Sequence, residues 1–90
     1  MSVGNHIVQV RLLENMSYAA RGYRTLVDSP SFVIGGINGQ AMSSADVVNS
    51  VARMLQASGA NIYVNGDLSQ QSDSPLELHV WLSPVEDGEL

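Results

Sequence analysis

A chain of 90 residues whose four cations are all arginine (Arg11, Arg21, Arg24 and Arg53), with no cysteine, excludes every chemistry that needs a lysine amine, a thiolate, a disulfide or a zinc–thiolate centre. Its net charge of −5 argues against direct nucleic-acid binding, which draws affinity from cations set against phosphates. With 44% hydrophobic and 14% charged residues the composition supports one cored domain, not disorder, at a size that gains stability from a partner or a second copy.

From His6 to Leu13, Val8, Val10 and Leu12 alternate with Gln9 and Arg11, which predicts a half-buried strand. Glu14 to Ser17 reads as a turn. Residues 18–28 are ambiguous: Met16, Ala19, Ala20, Tyr23, Leu26 and Val27 recur at helical spacing, whereas Gly22 and the run from Tyr23 to Val27 favour a strand that pairs with the first as a hairpin. We take the strand. Asp28-Ser29-Pro30-Ser31 then turns into a third strand over Phe32–Ile34, ended by Gly35-Gly36. Ser43 followed three residues on by Asp46 is a capping signature, and Val47, Val48, Val51, Met54 and Leu55 share a helical face. The expected helix runs over 43–58, with Gly59 as its left-handed cap.

Ile62 to Val64 is a short strand, Asn65-Gly66 a tight turn, and Ser69 to Pro75 a polar loop. In the last strand Leu76, Leu78, Val80 and Leu82 alternate with Glu77, His79 and Trp81, and Pro84 stops it. Residues 1–84 form the expected domain and 85–90 an acidic flexible tail. The fold class is α+β: an antiparallel sheet of four to five strands, one helix on one face, order βββαββ. The N-terminus has neither a basic flank nor an apolar run, and no stretch is long and apolar enough to span a membrane, so a soluble, unexported, cytoplasmic protein is expected.

In element order and size, His6 to Ser58 resembles HicB-type antitoxin domains and several small phage-encoded anti-CRISPR proteins. That resemblance implies a protein that works by binding, as an inhibitor or an oligomeric antitoxin component.

No cofactor or metal site is predicted. His6 and His79 are the only histidines and neither has ligand spacing. No G-x-S-x-G elbow presents a nucleophile, and Glu86, Asp87 and Glu89 fall in the tail, so an enzyme is not expected. Gly35-Gly36-x-x-Gly39 leading to Ser43 and Ser44 at a helix start suggests an anion cradle, but the spacing is not G-x-G-x-x-G and no G-K-[ST] follows. A small-ligand module binding a nucleotide or anion at Gly35, Gly36, Gly39, Ser43 and Ser44 is therefore the alternative function.

The expected function is that of a non-enzymatic protein that binds a partner, as a phage or mobile-element inhibitor of a host nucleic-acid-processing complex, of anti-CRISPR type, with a basic surface. Tyr18, Arg21, Tyr23 and Arg24 are candidate contacts, because tyrosine and arginine are enriched at interface hot spots. The competing role for these arginines is to pair with Glu14 or Asp28. Glu77, His79 and Trp81 are candidates on the polar parity of the last strand, where a large aromatic side chain covers something. Residues 1–45 carry three of the four arginines and residues 46–90 seven of the nine acids, which suggests two distinct surfaces. A homodimer is expected from lightly charged edges on the first and last strands.

Overall fold

The computed structural model describes residues 5–36 and 42–85. Strand β1 (His6–Asn15) leads through a short 3-10 turn (Ser17–Ala19) to β2 (Tyr23–Asp28) and β3 (Phe32–Ile34). Helix α1 (Ser44–Met54) follows, then β4 (Asn61–Val64), β5 (Asp67–Gln70) and β6 (Leu76–Pro84). The class is α+β, but the sheet is mixed and has six strands among the described residues, in spatial order β2-β1-β6-β4-β5, with β3 also paired to β1. Among the described residues, no helix is long and apolar enough to cross a membrane.

β1 and β6 are the centre of this sheet. They pair antiparallel from His6↔Pro84 to Glu14↔Leu76, so both alternating patterns bury Val8, Val10, Leu12, Leu78, Val80 and Leu82 on one face. The first and last strands are thus not edges, and the edge argument for a homodimer loses its premise. The edges are β5 and the broken strand formed by β2 and β3. The ambiguous segment is extended only from Tyr23; Gly22, with φ of 72°, and Ala20, with φ of 55°, turn the chain before it. Between β2 and β3, where Pro30 has no N–H, the Ser29 hydroxyl accepts from the Val10 N–H at 3.1 Å and the Ser29 N–H donates to the Val10 carbonyl at 3.0 Å.

β5 replaces the first part of the expected polar loop. Asn65 and Gly66 both have positive φ, 51° and 89°, which folds Asp67–Gln70 back on β4 with Tyr63↔Leu68 and Val64↔Asp67 in register. All four β5 residues are exposed, so they lack the apolar alternation that marks a strand in sequence. The Gln70 amide instead donates to the carbonyls of Ser58 and Ala60, at 2.7 and 2.9 Å.

β6 then passes to the other side of β4 and pairs with it in parallel, Ile62↔Leu78 and Val64↔Val80. Two asparagines bracket this placement. The Asn61 amide donates to the carbonyls of Ser74 and Leu76 and its oxygen accepts from the Ser72 N–H, which pins the returning loop. At the far end the Asn65 amide donates to the Leu82 carbonyl at 3.0 Å, and its oxygen accepts from the Leu82 N–H at 2.8 Å.

α1 covers the face that buries the apolar strand residues. Its Ser43 cap accepts from the Asp46 N–H at 3.1 Å, as the capping signature predicts, and Asp46 and Arg53 suit the positive and negative helix ends. Val47, Val48, Val51 and Ala52 are buried, whereas Met54, at the flank of that stripe, is 67% exposed. The helix stops four residues before the expected end. Gln56, not Gly59, takes the left-handed position (φ 54°), while the Ala57 N–H reaches the Ala52 carbonyl and the Gln56 N–H that of Arg53.

A non-glycine residue in this conformation carries a steric cost of about 1 kcal/mol. Gln56→Gly is therefore expected to stabilise the fold by about 0.5–1 kcal/mol in urea titration. Gly59→Ala is expected to be tolerated, since an added Cβ would meet nothing within 4 Å and no positive φ is needed there. Val85, expected in the tail, is buried, and its N–H donates to the Asn5 carbonyl at 2.9 Å. The rest of that tail, residues 86–90, lies outside the described residues.

Candidate functional site

The helix covers one side of the sheet, and among the described residues nothing covers the other. The register sets the odd-numbered residues of β1 and β6 on this open face, so Ile7, Gln9, Arg11 and Leu13 stand opposite Ser83, Trp81, His79 and Glu77. Parallel pairing of β4 adds Tyr63 beside His79, and the hairpin adds Leu68 beside Tyr63. A row Asp28–Arg11–His79–Tyr63–Leu68 therefore crosses five strands.

Three rings stack at its centre. Tyr63 and His79 lie with centroids 4.5 Å apart and planes within 4°, and Trp81 continues the stack from His79 at 5.8 Å and 21°. Their orientation is fixed from both sides. His79 Nε2 lies 3.2 Å from Glu77 Oε1, in hydrogen-bond contact with the carboxylate. The Arg11 guanidinium lies 5.9 Å from the Trp81 ring centroid, a cation–π contact, while its Nε is 3.5 Å from Asp28 Oδ1. The Arg11–Asp28 ion pair and the Glu77–His79 hydrogen bond are thus both satisfied within the face. Trp81 (38% exposed) and Ile7 (39%) are apolar surface at its middle, with Val33 and Leu68 exposed towards its two edges.

Glu77, His79 and Trp81, predicted to share a face, are brought together on it. Tyr23 joins them from β2: the Glu77 carboxylate raises its pKa above the usual value near 10, first by its charge and then by a side-chain hydrogen bond. The raised value favours the neutral phenol in the folded state, so this contribution to stability is complete below pH 10 and is lost as pH rises through the native pKa. Glu77→Gln is expected to return the Tyr23 titration towards 10, read from its ring resonances in NMR.

The other predicted contacts are dispersed. Tyr18 projects from the 3-10 turn and is 76% exposed, and Arg21 follows in the connection to β2. Arg24 turns to the opposite parity and bonds Glu14 Oε1 at 2.8 Å, the structural pairing weighed against a binding role. Nor does the fold separate an arginine surface from an acidic one, because β1 and β2 set Arg11 and Tyr23 among Glu77, Asp28 and His79. In the glycine segment a Cβ on Gly35 would approach Asn5 Oδ1 to 2.5 Å, so a side chain there would require the Asn5 amide to move aside. Ser43 is occupied as the helix cap and Ser44 begins the helix; Gly39 lies outside the described residues. His6 is buried near one end of β1, away from His79, and among the described residues no cluster of three His, Asp or Glu side chains could hold a metal.

Comparison with protein-family models, curated proteins and solved structures finds no match to this chain. The functional reading rests on the face itself. Sequence reasoning missed Arg11, Tyr63, Ile7 and Gln9 as members of it. Arg11, Ile7 and Gln9 had a usable signal, the outward parity of the first strand, but placing Tyr63 beside His79 requires the parallel register.

Proposed function

We propose that the protein acts without catalysis, by seating a partner protein on the helix-free face with Trp81 as the anchor. The observation that carries this reading is the stack Tyr63–His79–Trp81 on the helix-free side of the sheet, held by Glu77 and Arg11, with Trp81 exposed and the other two rings half-buried. Pre-stacked aromatic rings offer contact area at small ordering cost, and such residues carry a large share of interface energy. The finer proposal is a phage or mobile-element inhibitor of a host nucleic-acid-processing complex, of anti-CRISPR type, in which this acidic chain competes for a basic groove.

Titration into such a complex is expected to block it stoichiometrically. Trp81→Ala is expected to weaken the association by about 2 kcal/mol, roughly 30-fold, while Met54→Ala on the helix side leaves it unchanged. Turnover of any host component, or equal affinity of the two variants, would remove the proposal.

A further inference from the structure

A second feature of the same face points beyond a protein partner. On the side of Trp81 away from His79, a shallow depression of about 280 Å³ is lined by Ile7, Gln9, Ser31, Asn65, Trp81 and Ser83. Gln9 is the cross-strand neighbour of Trp81 and Ile7 that of Ser83, so the two central strands form its floor. Ser31 enters from the break between β2 and β3, and Asn65 from the end of β4.

None of these residues is ionisable. Arg11, the nearest cation on β1, is engaged by Asp28 and by the Trp81 ring. A phosphate or carboxylate would enter without a charged partner, which argues against a nucleotide or an anionic ligand. The volume falls just below the ~300–1,000 Å³ of sites for drug-sized ligands, which is room for about one ring.

The polar groups narrow the chemistry further. Asn65 spends both ends of its amide on the Leu82 backbone and is a fixed wall. Gln9, Ser31 and Ser83 are exposed, and their side chains make no hydrogen bond to the described residues, which leaves them to solvent or a guest. They offer an amide and two hydroxyls, a set that both donates and accepts. A flat aromatic guest would cover Trp81 but offer no partner to any of those groups it shields from water, at roughly 1–3 kcal/mol for each one left unpaired. A pyranose ring satisfies both requirements: its C–H face lies against the electron-rich indole, and its hydroxyls, each a donor and an acceptor, meet the rim.

We infer that Trp81, Gln9, Ser31 and Ser83 form a binding site for a neutral pyranose sugar. The site does not depend on the proposed protein partner, and its test involves none. Trp81 is the only tryptophan in the chain, so its emission reports this site alone. Methyl glycosides of glucose, galactose and mannose are titrated into the full chain while fluorescence is recorded. At least one is expected to give a saturable change with a dissociation constant on the order of 1 mM. Gln9→Ala and Ser83→Ala are each expected to weaken it by roughly 3- to 10-fold. Ser69→Ala, on β5, is expected to leave it unchanged, with folding of every variant verified by circular dichroism.

Three results would overturn the assignment. One is the absence of a saturable change with any of the glycosides up to about 100 mM, a hundredfold the expected constant. Another is an equal response from Gln9→Ala, Ser83→Ala and the parent chain. The third is tighter binding of phenol or adenosine than of every glycoside, which would give the depression to a planar aromatic guest.

Discussion

Leu78→Ala is expected to cost about 3–5 kcal/mol of folding stability, the largest effect of any single truncation considered for this chain. Leu78 is fully buried on β6, with Leu12 of β1 on one side, Ile62 of β4 on the other, and the helix over that face. Backbone ladders on both flanks keep the strand from closing in on the void, so the cavity penalty adds to the lost transfer energy. Domains of this size have total stabilities near the low end of ~5–15 kcal/mol, so the variant loses most of its margin. Urea titration followed by circular dichroism should show a large fall in midpoint with little change in slope. A loss below about 1 kcal/mol would mean that this three-strand centre is not packed as described.

Asn65→Ala is expected to cost about 2–3 kcal/mol, although the residue is exposed at a turn and packs no core. Two penalties combine. The substitution strips the N–H and the carbonyl of Leu82 of their side-chain partners, at roughly 1 kcal/mol each, and it places alanine at a φ of 51° that asparagine tolerates better. Asn65→Gly separates the two. Glycine accepts the positive φ but cannot bond Leu82, so it should recover the backbone share, about 1 kcal/mol, and keep the rest of the loss. Equal stability of Asn65→Ala and the parent chain would show that the amide bridge to Leu82 contributes nothing.

The role of Asn65 also shows where sequence legibility ended. Asn65-Gly66 was readable as a tight turn because its residue types admit positive φ. That the asparagine side chain would continue the β4–β6 pairing at Leu82 was not, because the partner lies 17 residues away and its adjacency depends on the whole sheet. β5 shows the same limit: a four-residue edge strand buries no face of its own, so its polar composition looks like loop. The helix end was misread for a local reason, since glycine is the usual left-handed residue and here Gln56 adopts that conformation two residues beyond the last helical residue.

The candidate face was legible one strand at a time. Glu77, His79 and Trp81 share a face by simple alternation, and that much needs no structure. Arg11, Tyr63 and Tyr23 reach them only through the register of β1, the parallel pairing of β4 and the hairpin of β2. The contrast between an arginine-rich first half and an acidic second half suggested two surfaces because charge was counted along the chain. In space β1 and β6 are neighbours, and the two halves interleave.

By itself the sequence determined the two long alternating strands, the capped amphipathic helix, the turn at Asn65-Gly66 and the absence of lysine and thiol chemistry. These depend on residue type and on periods of two or 3.6, which are local properties. The tertiary structure alone decided that β6 lies between β1 and β4, that the sheet is mixed, and that Tyr63, His79, Trp81 and Arg11 meet on the open side. Those outcomes depend on pairing between segments far apart in the chain, where many partners satisfy the same local pattern and the joint packing of all strands against one helix selects among them.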